Sequence, residues 1–500
     1  MISLAFFNYY FHPPGMRITS ALVIVTLATG VFSACSVGPL YQKPLYSAAT
    51  VWQAPIPVTT EAEALTNLNN FWQQFDDPLV AELINSAQIS SPTLEQALAR
   101  IGQARANVAA TDARSWPSLD TNLRANRGNT VVSNNAGSSA PVATVSSLTL
   151  DAAWELDLFG ANRSARTAAQ ARLAARTAQW HDARVSLAAE VASALIAWRT
   201  CNALVALSRQ DLLSRQQTAA LTALKVKAGF TAPADSALID ASTADARQRL
   251  TSQQAECEVN VKALVALTSL PEPDLRKHLY SSDRLPAPRQ IKVTTVPAQT
   301  LSQRPDIAAS ERELAATSSE INVAEANRYP RISLTGSIGI AGLRIAGTGS
   351  DSNTWSFGPA LNLPLFDAGQ RRANVDAAQA RYDEALASYR QRTISAVREV
   401  EEALVRLEAT TQRLQDATTA AREYERFFKA SEDRQKAGTA SLLELEEARR
   451  ITLTAQQGLI NLHREQRVAW ISLYKALGGG WQADTDAPQT KVNNPTLARP

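Results

Sequence analysis

Four stretches of this chain alternate apolar and polar residues with period two. Leu119, Thr121, Leu123 and Ala125 share one side of the first, against Asp120, Asn122, Arg124 and Asn126. The second sets Leu148, Leu150, Ala152, Trp154 and Leu156 against Thr149, Asp151, Glu155 and Asp157. The third sets Ile332, Leu334, Ile338 and Ile340 against Ser333, Thr335 and Ser337. The fourth sets Trp355, Phe357, Leu361, Leu363 and Leu365 against Ser356, Gly358 and Asn362. Segments of about ten residues with one apolar side, paired by polar loops, predict membrane-barrel strands, or else two hairpins with one wet face. Trp116 and Tyr329, just ahead of the strands, stand where interfacial aromatics sit and favour the barrel. Four strands cannot close it, and an open edge in lipid leaves backbone groups unsatisfied. Other copies of the chain must complete the wall, and two, three or four copies would give eight, twelve or sixteen strands.

Elsewhere the period changes to that of a coiled coil. Val397, Val400, Leu404, Leu407, Thr411 and Leu414 repeat at three-four spacing. Leu445, Ala448, Thr452, Ala455, Leu459, Leu462, Gln466, Ala469, Leu473 and Ala476 repeat in the same register. Such seams predict left-handed supercoiling of long helices. Gly160 to Gly229 and Gly369 to Gly438 are both 69 positions apart. A continuous helix of that length runs roughly 100 Å, the scale of a periplasm rather than of a globular domain. Shorter helices return from Gly229 and Gly438, and the stretches Pro92–Pro117 and Pro305–Pro330 supply two more, so that pairs of short helices form rods beside the long ones. A soluble coiled-coil spacer explains the helices but not the strands.

The two halves duplicate one another. Ser91-Pro92 aligns with Arg304-Pro305, Trp116-Pro117 with Tyr329-Pro330, and Lys227-Ala228-Gly229 with Lys436-Ala437-Gly438. The expected organisation is a leader at 1–34, an N-terminal segment at 35–77, a first repeat at 78–270, a linker at 271–303, a second repeat at 304–478 and a tail at 479–500. Cys201 lies 28 positions before Gly229 and Cys257 lies 28 after it, so a helical hairpin turning there sets them opposite each other. In an oxidising compartment they form a disulfide; the alternative is two buried thiols. The second repeat has Thr410 and Gln466 in those seats.

The N-terminus carries an address. Residues 18–34 are apolar or small, follow Arg17 and lead to Cys35. This is the pattern of a secretory signal. Phe32-Ser33-Ala34-Cys35 resembles a bacterial lipobox, with Cys35 as the acylated first residue of the mature chain; the plain alternative is a signal cut at a nearby small residue. Translation starts at Met1 or Met16.

Composition then removes whole classes of function. Among 500 residues a formal net charge of +3 leaves no basic excess for a phosphate backbone, so no nucleic-acid partner is expected. There is no phosphate loop, no dinucleotide fingerprint and no ligand spacing among His12, His181, His278 and His463. The expectation is a non-enzyme without cofactor or metal.

Several motifs in one order carry a resemblance. They are Cys35-Ser36-Val37-Gly38-Pro39-Leu40-Tyr41 with Pro44; Trp154-Glu155-Leu156-Asp157-Leu158-Phe159-Gly160; Arg304-Pro305-Asp306-Ile307 with Glu311; Tyr329-Pro330; and Pro364-Leu365-Phe366-Asp367-Ala368-Gly369. Together they span nearly the whole mature chain, which resembles TolC-type outer-membrane efflux channels of the lipoprotein branch typified by OprM and NodT. The resemblance implies a mainly α fold with a β-barrel part: a duplicated protomer of long coiled-coil helices and four transmembrane strands, trimerising to a twelve-stranded barrel and a helical periplasmic tunnel. It implies a homotrimer in outer-membrane lipid, working with a periplasmic adaptor and an inner-membrane pump of RND, ABC or MFS type. It implies passive export of drugs and toxic compounds; a type I protein-secretion conduit is the alternative of the same architecture.

The resemblance also assigns residues. Leu443 and Glu447 match the periplasmic gate, with Arg434 as a tethering partner, and Asp235 and Glu444 could add a second acidic ring. The bland alternative is a solvated acidic helix face. Gly229, Phe230 and Thr231, with Gly438 and Thr439, match the tip turns that meet the adaptor.

Overall fold

A computed structural model describes residues 37–44, 51–55, 68, 71–129, 142–280, 285–286, 301–345 and 348–481. Cys35, expected as the lipidation residue, the expected leader and most of the tail expected at 479–500 lie outside the described residues. In chain order the elements are a 3-10 turn (Trp72–Gln74), α1 (Pro78–Ser90), α2 (Pro92–Ala113), β1 (Ser118–Asn129), β2 (Val142–Leu156), α3 (Ala161–Lys227), α4 (Pro233–Thr268), α5 (Glu272–Leu279), α6 (Pro305–Ala326), β3 (Arg331–Ile345), β4 (Thr348–Asn362), α7 (Gln370–Lys436) and α8 (Leu442–Ala476). Two compact units result. One holds the four strands and the helix ends that feed them; the other holds residues 42–106, 170–315 and 383–500.

In the first unit the strands form one antiparallel sheet in the order β1-β2-β3-β4. Sheet order follows chain order although α3 to α6 intervene between β2 and β3. The fourth strand stops at Asn362, short of the expected Leu363 and Leu365. Pro364 has no N–H to donate to a ladder, so pairing ends before it. Trp154 Nε1 donates to Ser115 O at 3.0 Å, and Phe159 stacks on Tyr329 at 4.9 Å, which fixes the turns at the helix-bearing end of the sheet.

In the second unit, α3 and α7 contribute most of their 67 residues each. Both end in the same way. Gly229 and Gly438 take positive φ of 78° and 76°, and the following N–H donates five residues back, Phe230 to Lys225 and Thr439 to Arg434. This motif needs a left-handed residue, which glycine supplies without strain. Lys225, Lys227, Arg434 and Lys436 occupy the last turns, where cations meet the negative end of the helix dipole. A central window of α3 is apolar enough by length to cross a membrane, but half of it is buried inside the protein.

The 35–77 segment does more than tether. Phe71 is fully buried, stacks on Tyr474 at 4.6 Å and meets Trp72 and Phe75 edge-on. Upstream, Gln53 N and Ala54 N both donate to Glu401 at 2.8 Å, strapping the segment to α7. Arg199 on α3 is buried and reaches Asp77 at 3.1 Å and Leu279 O at 2.7 Å. The stretch expected as a linker at 271–303 therefore starts with a helix, α5, whose Leu275 and Leu279 are core residues.

Short helices meet end to end in both repeats. Ser90 Oγ, ending α1, donates to Thr268 O at the end of α4, at 2.8 Å, and α2 starts two residues on. Arg304, just before α6, donates to Ala476 O at the end of α8, at 3.1 Å. Each junction satisfies a carbonyl that a helix C-terminus leaves without an intrahelical partner.

Candidate functional site

The sheet has two unlike faces. Across the strands, Leu119 pairs with Ala152, Gly336 and Phe357; Thr121 with Leu150, Ile338 and Trp355; Leu123 with Leu148, Ile340 and Asn353. Trp355 and Phe357 on this face are 80% and 72% exposed, too apolar a surface to face water. The opposite face carries Asp120, Asp151, Ser337 and Ser356 in one row and Asn122, Thr149, Gly339 and Thr354 in the next. Asp151 accepts from Asn122 at 2.7 Å and from Thr149 at 2.9 Å. Among the described residues, β1 and β4 are each paired on one side only.

The helix tips form the second candidate region. Phe230 projects from the α3–α4 turn at 83% exposure, beside Gly229 and Thr231. In the α7–α8 turn, Gly438 and Thr439 are exposed and Leu443 is 68% exposed. Glu447 lies one turn further along α8. The residues carried over from the resemblance thus gather at two hairpin ends of the same unit, but their partners differ from expectation.

Arg434 does not reach Glu447. Its guanidinium donates to Thr439 O at 3.4 Å, and Thr439 Oγ1 donates back to Arg434 O at 3.1 Å, closing the tip turn. Glu447 instead accepts from Arg450 Nε at 2.9 Å. A partner three positions along one helix is already in reach, whereas a tether between arms must order two long side chains. The Arg450 hydrogen bond holds the Glu447 carboxyl below the ordinary 4.5. Glu444 is committed to a capping box: Ser441 Oγ accepts from Glu444 N at 3.1 Å, and Glu444 Oε2 accepts from Ser441 N at 2.9 Å. Asp235 sits in the first turn of α4, where Ala232 offers no side-chain cap and the acid meets the dipole.

Between the hairpins lies a buried ionic cluster that the sequence did not announce. Arg215 on α3 takes both oxygens of Asp211 at 3.0 Å and pairs with Glu446 on α8. Glu446 also pairs with Arg449, whose Nη2 donates to Ser214 at 3.1 Å and Thr218 at 3.0 Å. All four charged side chains are nearly enclosed. Burial pulls the Arg449 guanidinium below its ordinary value, opposed by Glu446. The sulfurs of Cys201 and Cys257 are bonded, with Cα atoms 5.5 Å apart, further up the α3–α4 hairpin.

A sheet with one apolar and one polar face, joined to helices of 67 residues, is the fold of TolC-type outer-membrane channels. The chain belongs to the family described as outer membrane efflux protein, whose model matches residues 83–269 and 296–479. It is 30% identical over 478 residues to outer membrane protein OprJ of Pseudomonas aeruginosa, covering 94% of this chain and 96% of that one. It is 30% identical over 457 residues to the toluene efflux pump outer membrane protein TtgI of Pseudomonas putida, covering 89% and 96%. Among solved structures, the outer-membrane channel OprN superposes with a TM-score of 0.79 at 30% identity, covering 89% of this chain and all of that one. These relatives are channel proteins of the outer membrane, and this chain is an outer-membrane efflux channel protein.

Proposed function

We propose that three copies of the chain assemble into a twelve-stranded barrel and a helical tunnel, forming the passive exit duct of a tripartite pump for small apolar or amphiphilic toxic compounds. One observation carries the reading: a four-stranded sheet paired, among the described residues, on one side only at β1 and β4, with Leu119, Leu123, Trp355 and Phe357 of its apolar face exposed, is complete only when other copies close it within lipid. The names of the relatives, a toluene efflux pump outer membrane protein among them, support small-molecule export. Energy comes from an inner-membrane pump, and a periplasmic adaptor seats on the tips around Phe230 and Thr439. Near Leu443 and Glu447 the tunnel narrows, and an iris-like movement of the helix tips widens it.

Purified trimer in a planar bilayer tests the reading. Discrete, small-conductance openings that enlarge when the tip residues are changed are expected. Protein that inserts yet never conducts would overturn the duct.

A further inference from the structure

The two sheet faces exchange character at the end away from the helices. Beyond the row Leu123, Leu148, Ile340 and Asn353, the apolar face continues with Ala125, Ser146, Gly342 and Asp351, then with Arg127, Thr144, Arg344 and Gly349. The polar face does the reverse, reaching Asn126, Val145, Leu343 and Ser350. A lipid-facing surface thus stops at the Leu123 row and turns basic two rows later. The five apolar rows from Leu156 to Leu148 span about 27 Å of strand, roughly 21 Å of height at the usual barrel tilt, most of the apolar band of a membrane barrel.

In that row two arginines flank a hydroxyl on adjacent strands. Arg127 and Arg344 are each one strand away from Thr144, so their Cα atoms stand about 10 Å apart on one face. Arginine arms of that reach can converge on one anion above Thr144. The neighbouring positions are cut back to make room. A Cβ on Gly349 would come within 2.8 Å of the Arg344 side chain, and one on Gly342 within 2.6 Å of Asp351 and 2.9 Å of Ser146. Arg344 therefore lies over a glycine floor, held loosely at 3.7 Å by Asp351, while both partners stay about two-thirds exposed.

We infer that Arg127, Thr144 and Arg344 form a phosphate-binding row on the outward face of the barrel, occupied by the phosphorylated headgroup of an anionic lipid in the outer leaflet. Guanidinium groups take phosphate oxygens through paired, charge-assisted hydrogen bonds. A basic cluster immediately beyond an apolar band sits at headgroup depth, where anionic lipid is drawn to it. Asp351 is the built-in competitor for Arg344. The inference rests on the proposed barrel, because only a membrane places this row against headgroups.

The test is native mass spectrometry of the purified full-length trimer with bis-phosphorylated lipid A and with the same lipid after phosphatase treatment. Wild type should retain the phosphorylated form about tenfold better. The Arg127→Gln/Arg344→Gln variant should lose that preference, Asp351→Asn should strengthen it, and Arg124→Gln on the opposite face should leave it intact. Millimolar inorganic phosphate should not displace the lipid. Equal retention of both lipids by wild type, or an unchanged preference in the double variant, overturns the inference. Bilayer conductance of the same preparations reports separately on the duct: a trimer that conducts but ignores the phosphates disproves the headgroup row alone.

Discussion

Arg215 and Glu446, 231 positions apart, are joined in a buried ion pair that locks the first helical hairpin to the second. Taking one partner away strands charge in a poorly solvated place, which costs far more than the intact pair contributes. Glu446→Gln should therefore lower stability by about 3 kcal/mol, with Arg215 keeping Asp211, and Arg449 keeping its two hydroxyl partners and the Phe428 ring but losing its paired carboxylate. The same change should raise basal conductance in a planar bilayer, because the two hairpin tips are then less firmly coupled. Denaturant unfolding and single-channel recording on one preparation read both effects, and unchanged conductance would separate the cluster from gating.

The first hairpin has a covalent staple that the second lacks, since Thr410 and Gln466 occupy the seats of Cys201 and Cys257. The bond closes a loop across a sequence separation of 56. Replacing both cysteines by serine should cost roughly 2–4 kcal/mol, chiefly by freeing the unfolded chain. Unfolding with and without reductant checks this: reductant should shift wild type toward the variant and leave the variant where it is.

Duplication also sets up a paired test at the rod junctions. Ser269 and Gly478 end equivalent helices, and both take left-handed backbone, at φ 55° and 85°. A non-glycine residue there carries roughly 1 kcal/mol of strain, so Ser269→Gly should stabilise by up to about that amount. Gly478→Ala should do the opposite and more strongly, because its Cβ would lie 2.2 Å from Gln303 O. Thermal melts of the two variants should move in opposite directions.

Asp182 supplies a pH signature. Burial pushes its carboxyl above the ordinary 3.8, and Asp306 adds repulsion, while Lys475, Arg304 and Arg392 pull the other way. The folded chain thus holds this proton more tightly than the unfolded one. Its contribution to stability is greatest below the unfolded value and is lost as pH rises from 3.8 through the raised folded value. Asp182→Asn should raise the melting temperature at neutral pH, with the gain shrinking as pH falls toward 4. A gain independent of pH would assign the effect to packing.

What could be read from the sequence depended on whether a residue's role is local. Strand faces follow from period two, and Leu119, Leu123, Trp355 and Phe357 fell on one side as the alternation requires. Lys227-Ala228-Gly229 and Lys436-Ala437-Gly438 announced the turns, because only a left-handed residue ends a helix that way. The burial of Arg215, Asp211, Glu446 and Arg449 comes from packing two hairpins 231 positions apart, which no local pattern encodes. Phe71, Trp72 and Phe75 had a visible signal, a tight aromatic cluster ahead of α1, that marked core rather than tether. Arg434 reaches Thr439 O within its own chain, and sequence proximity to a tip does not encode which carbonyl a guanidinium will find.

In the duct proposed above, Glu447 and Leu443 are the residues we assign to its closure. Both face out from the start of α8, so in a trimer each becomes a ring of three. Carboxylates brought together repel and would take up protons, which weakens a ring as pH falls. Here Arg450 counters that repulsion and holds Glu447 below its ordinary 4.5, so the ring keeps its charge under mildly acidic conditions. Cation preference in a planar bilayer should then persist as pH is lowered from neutrality and fade only below about 4.5. Arg450→Ala should move that loss to higher pH, since the folded carboxyl regains the ordinary value or exceeds it. Glu447→Ala should abolish the preference and raise basal conductance, whereas Leu443→Ala should raise conductance and leave cation preference intact. Selectivity unaffected by Glu447→Ala would remove the acidic ring from the narrowest point.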